Sequence, residues 1–267
     1  MNRFADTIVV VLGGGADGPA HESGQMPMGN GRAISMRVAA EGATVVVVDR
    51  NLELAKVTLE ACGGKGLALE ADLANVDQCK SIVTRTIEAF GRIDVIVSNA
   101  AIDMQASVLN QTVEDWELAD DVNVRGHWLV AQAALPGMIE RGSGTFVFVG
   151  STAGTLSPGR SLAYEATKAA QMAVMRHIAV RFGRKGIRSN AVVLGVIDSA
   201  LVRREFGAEP EALKARDSVA PLGRQGRPDE VAAAAAFLAS SEASYVNGHA
   251  LVVDGGVSAQ WPSPKRS

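Results

Sequence analysis

A doubly wound α/β fold is predicted by two features of the sequence. Short β-branched apolar runs alternate with longer segments of helical period, and the runs themselves are almost continuously hydrophobic. Strands of a parallel sheet covered by helices on both faces have this composition because neither face meets water, whereas a half-exposed antiparallel sheet would alternate apolar and polar residues. The candidate strands are 7–12, 44–48, 66–69, 95–97, 145–149, 189–194 and 250–253. Between them, a helix over 31–41 leads into the second strand. A helix over 51–62 starts at the polar Asn51 and stops at Gly63 and Gly64, and one over 75–90 has Asn75 at a capping position and ends at Gly91. Thr112 followed by Asp115 marks the capped start of the helix that carries Trp116. Pro228 stands where a first helical turn tolerates proline, ahead of the alanine run 232–236.

With 267 residues, 47% hydrophobic and 21% charged, the chain can bury a sizeable core, which excludes a disordered protein. Twenty-six basic against 29 acidic residues give a net charge of −3 and no basic field for nucleic acid or anionic lipid. The first residues lack a basic stretch, and the run 7–12 is too short for a signal sequence or a membrane span, so a cytoplasmic location is expected. Cys62 and Cys79 form no CxxC pair and are expected to be inert core thiols. His127, His177 and His249 lack metal-ligand spacing, so no metal site is expected. No repeat or linker divides the chain, and 261–267 reads as a loose tail of a single domain covering 1–267.

After the first strand, Gly13-Gly14-Gly15-Ala16-Asp17-Gly18 formally fits GxGxxG. A dinucleotide site needs glycines where backbone amides approach a pyrophosphate at a helix N-terminus, and an acid about 20 residues on for the adenosine ribose. Asp49, at the end of the second strand, lies 36 residues after Gly13 but 20 after Gly29. The helix that should follow the loop begins at Gly29-Asn30-Gly31, so 14–28 reads as an insertion that enlarges the loop. The phosphate cradle is then made by Gly13 with Gly29, Asn30 and Gly31. Asp49 should bond free ribose hydroxyls and repel a 2′-phosphate, which favours NAD over NADP. Arg50 is the one neighbouring group that could turn toward such a phosphate, or it is simply solvated.

Tyr164 and Lys168 stand four residues apart in Tyr164-Glu165-Ala166-Thr167-Lys168, which places a phenol and an ammonium on one helix face. A free phenol titrates near 10. A lysine charge about 5 Å away is worth roughly 3 kcal/mol at an effective dielectric of ~20, enough to bring the phenol toward 7 and make it a proton carrier. Ser151 lies thirteen residues earlier, just after the strand 145–149, at the edge where open α/β sheets bind ligands.

With Ser98-Asn99-Ala100-Ala101, Asp121-Val122-Asn123-Val124 inside a long helix, Pro221-Leu222-Gly223-Arg224 and Val252-Val253-Asp254-Gly255-Gly256, the chain resembles the short-chain dehydrogenase/reductase family over nearly its whole length. The resemblance implies a single-domain Rossmann fold with a seven-stranded parallel sheet flanked by helices, a nicotinamide cofactor, and a catalytic group of Ser151, Tyr164, Lys168 and Asn123. In it Tyr164 is the general acid/base, Lys168 lowers its pKa and bonds the nicotinamide ribose, and Ser151 donates to the substrate oxygen. Asn123 holds a water that links Lys168 to solvent. Asp72 lies beside the adenine and Leu73 gives a backbone contact. Asn99 and Ala100 lie under the adenosine ribose, Ile197 touches the nicotinamide amide, and Ser199 keeps a hydroxyl where the family has Thr. Leu12, Ala101 and Leu194 depart from the family's usual Thr, Gly and Pro. They bear on the cofactor loop more than on proton transfer.

The segment 196–219 would cover the substrate, with Leu201, Val202, Phe206 and Leu213 beside Arg203, Arg204 and Glu205. That mixture suits a cyclic or aromatic secondary alcohol, including one with an anionic group, with surface solvation an equal account of the arginines. A homotetramer is implied by resemblance, through 116–139 and 161–182 in one contact and 245–256 in another. Two further readings fit the fold: a methyltransferase-type Rossmann protein, which does not need these four residues in register, and a catalytically idle nucleotide-binding or scaffold protein.

Overall fold

The computed structural model describes residues 2–15 and 28–260. Most of the expected insertion, and the tail 261–267, lie outside the described residues. Seven strands form one parallel sheet in the order β3-β2-β1-β4-β5-β6-β7: β1 (Ile8–Leu12), β2 (Thr44–Asp49), β3 (Gly66–Glu70), β4 (Val95–Ser98), β5 (Gly144–Ser151), β6 (Ile187–Leu194) and β7 (Ala250–Val253). This is the predicted doubly wound sheet, with strand ends displaced by at most two residues.

Alternate side chains of each strand enter two separate cores. Val10, Val46, Val48, Ile96, Phe146, Phe148 and Val193 pack against α3 (Val76–Phe90), α5 (Gly126–Arg141) and α6 (Leu162–Phe182). Val9, Val11, Val45, Val47, Val97, Val147 and Val192 pack against α1 (Asn30–Ala40), α2 (Leu52–Ala61) and α9 (Pro228–Ala239). Burial on both faces is why the strands carry no polar alternation. The predicted caps are in place: Asn51 accepts from the amides of Glu53 and Leu54, Asn75 from Asp77 and Gln78, and Thr112 from Asp115 at the start of α4 (Val113–Asp120). Gly91 ends α3 in the left-handed conformation, and Pro228 opens α9. Cys79 is in the core, but Cys62 is only half-buried because it closes the exposed end of α2, a correction to the expected pair of core thiols. Burial pushes both thiols up to about 11.

The segment before β1 is tied to the far end of α1. Glu41 accepts from Arg3 Nε at 2.5 Å and Nη2 at 2.8 Å, and from Arg37 Nε at 2.5 Å. The Arg3 bond, followed by that of Arg37, overcomes the cost of burial and holds the Glu41 carboxyl down at about 2. Because the folded value lies below the ordinary 4.5, this contribution is complete above about pH 4.5 and is lost as pH falls toward 2. Glu41→Gln is expected to cost about 1–2 kcal/mol at neutral pH. Denaturant midpoints of variant and parent should converge as pH falls through that window.

Candidate active site

The loops that carry function leave the sheet at one level, because Leu12 pairs in register with Val48 on one side and Ser98 on the other. The chain turns at Gly13, with φ of +75°, and its amide donates to the Val48 carbonyl at 2.8 Å. Asn99 Nδ2 donates to the Gly13 carbonyl at 2.8 Å, and the Ala100 amide donates to Leu12 at 2.9 Å. A Cβ on Gly13 would come within 2.7 Å of Ala100 Cα, and one on Gly31 would overlap the Gly13 carbonyl. Glycine is therefore required at both places. Gly29 is the N-cap of α1 and brings no capping side chain, and the first turn contains no acid. A helix start of this kind presents the positive end of its dipole toward the glycine turn.

Asp49 closes β2, where its two oxygens accept from the amides of Gly15 and Asn51, each at 3.0 Å. A carboxylate has about four acceptor positions, so two are left by the described residues for hydroxyl donors. Arg50 is exposed beside it. The buried Asn30 Oδ1 has no hydrogen-bond partner among the described residues. A glycine cradle, a helix start at Gly29, a carboxylate with acceptor capacity and an orphaned polar atom together fit a dinucleotide.

The remaining cofactor-side residues are placed differently from one another. Asp72 is exposed, and its carboxylate accepts from the Ala74 amide at 2.9 Å, whereas Leu73 is buried beneath it. Ile197 turns its side chain into the core and bridges Gly226 through its neighbours, with Asp198 N donating to Gly226 O and Gly226 N to Val196 O. Its own N–H and C=O therefore point away from the bridge. Ser199 is buried and caps α7 (Ala200–Phe206) by accepting from the Val202 amide at 3.4 Å.

β5 ends in Ser151, whose hydroxyl accepts from the Ala153 amide at 3.1 Å and so opens a single 3₁₀ turn, Thr152–Gly154. That turn lies directly on α6: a Cβ on Gly154 would stand 2.9 Å from Ala169 N and from the Lys168 carbonyl carbon. Close approach sets the Ser151 hydroxyl beside the Tyr164 phenol, where it favours the phenolate. Lys168, 2% exposed, places Nζ 5.5 Å from the centre of the Tyr164 ring and donates to Val149 O at 2.9 Å and Gln171 Oε1 at 3.1 Å. Asn123 is fully buried in a turn of π-helix, Asp121–Arg125, that joins α4 to α5. Its side chain accepts from Ile102 N at 2.8 Å and donates to Ile102 O at 2.9 Å and Thr167 Oγ1 at 3.1 Å. Ser151, Tyr164, Lys168 and Asn123 thus come together, and with them Gln171, Thr167 and Asp103, which the sequence reading did not single out.

The electrostatics correct one expectation. Tyr164 is pushed up to about 12, not drawn toward 7. Burial of the phenol is the largest cause; the neighbouring Ser151 hydroxyl opposes it, and the Asp103 carboxylate adds to it. Lys168 does not offset this, since its ammonium lies over the ring face and bonds two carbonyl oxygens, and burial lowers it to about 8. Asp103 accepts from Ser161 Oγ and is itself raised by desolvation. His127, held at Ala100 O at 2.9 Å, is pushed down to about 4 by burial and is neutral. Gln171 could have been found from its spacing: three residues after Lys168, it shares the face that the lysine occupies.

Gly31→Ala is expected to destabilise the chain by about 1–3 kcal/mol through overpacking. It should also weaken dinucleotide binding at least tenfold, as read by fluorescence titrations with NADH and with NADPH.

Residues 26–258 match the family model described as enoyl-(acyl carrier protein) reductase. The chain is 35% identical over 235 residues to 3-oxoacyl-[acyl-carrier-protein] reductase FabG of Thermotoga maritima, covering 86% of this chain and 93% of the relative. It is 35% identical to levodione reductase of Leifsonia aquatica, over 97% of each chain. To 2,5-dichloro-2,5-cyclohexadiene-1,4-diol dehydrogenase of Sphingobium indicum it is 33% identical, over 97% of this chain and all of the relative. The crystal structure of levodione reductase superposes with a TM-score of 0.89 at 34% identity, covering 97% of this chain and 100% of that one. A short-chain type dehydrogenase/reductase from Mycobacterium marinum gives 0.82 at 27% identity, over 96% and 97%. Sheet order, the glycine turn and these likenesses agree, and the methyltransferase reading falls with them: the chain belongs to the short-chain dehydrogenase/reductase family of oxidoreductases.

Proposed function

We propose that the chain is an NAD-dependent oxidoreductase that interconverts a secondary alcohol, cyclic or aromatic, and its ketone, with Tyr164 as general acid/base. The observation that carries this reading is the Tyr164 ring lying beside the buried Lys168 ammonium, its centre 5.5 Å from Nζ, with the Ser151 hydroxyl next to the phenol. Gly13, Gly29, Asn30 and Gly31 would hold the pyrophosphate and Asp49 the adenosine ribose, with Arg50 solvated. Asp72 and Leu73 would lie at the adenine, Asn99 and Ala100 under the ribose, and Ile197 and Ser199 at the nicotinamide. When bound, NAD supplies the ring that takes or returns the hydride.

In oxidation the substrate hydroxyl loses its proton to the Tyr164 oxygen while its carbon loses hydride. In reduction Tyr164 O–H protonates the carbonyl oxygen. Ser151 donates to that oxygen as negative charge gathers on it. Lys168 would bond the nicotinamide ribose, and Asn123 anchors the segment at Ile102 on which the cleft wall is built.

The segment 196–219 forms α7 and α8 (Pro210–Asp217) and would be the substrate lid. Gln105 Nε2 donates to Glu205 O at 2.9 Å, and Arg160 stacks 5.9 Å from the Phe206 ring centre, so the lid is joined to both loops around Tyr164. Arg203 is committed to Asp198 by bonds of 2.7 and 2.6 Å, which removes it as a receptor for an anionic substrate. The cyclic diol named in the Sphingobium relative supports a ring-bearing alcohol. Trp116, Trp128, Val180 and Tyr245 are exposed on the surfaces that a homotetramer would cover. No helix among the described residues is long and apolar enough to cross a membrane, and a cytoplasmic location accompanies this reading.

Turnover of a panel of secondary alcohols, scored by NADH appearance, tests the proposal against an idle nucleotide-binding protein. Tyr164→Phe should lose about 10²–10⁴-fold in turnover with NADH affinity unchanged; equal loss of both would reject the assigned role. A raised Tyr164 and a lowered Lys168 give a direction for pH. Alcohol oxidation should gain rate on the alkaline side, and ketone reduction should decline above about pH 8 as Lys168 loses its charge. Asp49→Ser should narrow the preference for NADH over NADPH by at least tenfold, measured by the ratio of the two kcat/KM values.

A further inference from the structure

Gln171 follows Lys168 by one turn of α6 and is 1% exposed. Both ends of its amide are engaged: Oε1 accepts from Lys168 Nζ at 3.1 Å, and Nε2 donates to the main-chain carbonyl of Asn123 at 2.5 Å. The family resemblance gives that neighbourhood a water leading from the lysine to solvent, whereas here a side-chain amide already connects the two groups. We propose that Gln171 is a positioning residue that replaces the relay water between Lys168 and Asn123, holding the ammonium in place and closing that route to protons. The proposal rests on the reading of the site as that of an alcohol dehydrogenase.

An amide accepts at oxygen and donates at nitrogen, and it has no titratable proton to pass between them near neutrality. The proton of Tyr164 must then exchange through the mouth of the cleft, not past Asn123. The Oε1 bond also favours the charged form of Lys168. The groups facing Lys168 are few: Tyr164 on its own helix, the Val149 carbonyl from β5, the Asn123 turn beyond Gln171, and the neutral His127 ring from α5, while Asp103 faces Tyr164 from the loop after β4.

Titration of the lysine Cε resonances by carbon-13 NMR on the full chain reads this directly, with Lys168 assigned by its loss in Lys168→Met. Gln171→Met keeps the volume but removes the acceptor, and should lower the Lys168 midpoint by about one unit. Gln171→Glu keeps an acceptor and adds charge, and should raise it. Gln171→Ala leaves room for a water, and its shift should be less than half that of Gln171→Met. A packing role alone would make alanine the most damaging for melting temperature and would move no midpoint, so unchanged midpoints in the Met and Glu variants overturn the proposal. A shift in Gln171→Ala as large as in Gln171→Met overturns the equivalence with water. In turnover, Gln171→Met should bring the alkaline decline of ketone reduction to lower pH. An inactive parent chain would sink the dehydrogenase reading while the NMR midpoints still decide what Gln171 does.

Discussion

An ammonium ion kept out of water organises this site. Burying a charge costs several kcal/mol unless other groups replace its hydration. Lys168 obtains that replacement from the Val149 carbonyl on β5 and the Gln171 oxygen on its own helix. Each acceptor pulls on a different part of the fold. The first holds α6 against the end of the strand that delivers Ser151, and the second reaches through Nε2 to the π-turn that holds Asn123. A π-turn is rarer than continuous α-helix and is found frequently at functional sites. Here it leaves the Asn123 carbonyl to accept from a side chain on the neighbouring helix.

The sheet divides the labour around this point. Strands β1 to β3 lie on one side of the order reversal and supply the glycine turn and the acid, while β4 to β6 supply the proton-handling groups. Asn99 spans the two halves, since it emerges from β4 and bonds the carbonyl of Gly13 after β1. Ligands of open α/β sheets settle at such a reversal because the loops diverge there and leave a crevice.

What was legible in the sequence is what depends on short-range pattern. Val45 to Val48 could be read as a covered strand because consecutive side chains enter opposite cores. The Tyr164–Lys168 spacing could be read because residues four apart share a helix face. β5 extends past its apolar run to Ser151 because pairing with β6 continues to Leu194, which no local signal announces. The basicity of Tyr164 is not legible for a similar reason: charge separation follows from spacing, but desolvation depends on everything that packs around the ring. The π-turn and the double engagement of Gln171 likewise arise from contacts between α6 and segments some 50 residues away.

The bond from the Gly15 amide to the Asp49 carboxylate carries an evolutionary cost. The residue that would discriminate between cofactors also anchors the chain where it leaves the glycine turn, so selection cannot tune the two traits separately. A lineage exchanging this acid for a neutral side chain would first need a compensating acceptor for the stranded amide. Without such a permissive change, altered cofactor preference would come at the expense of loop order.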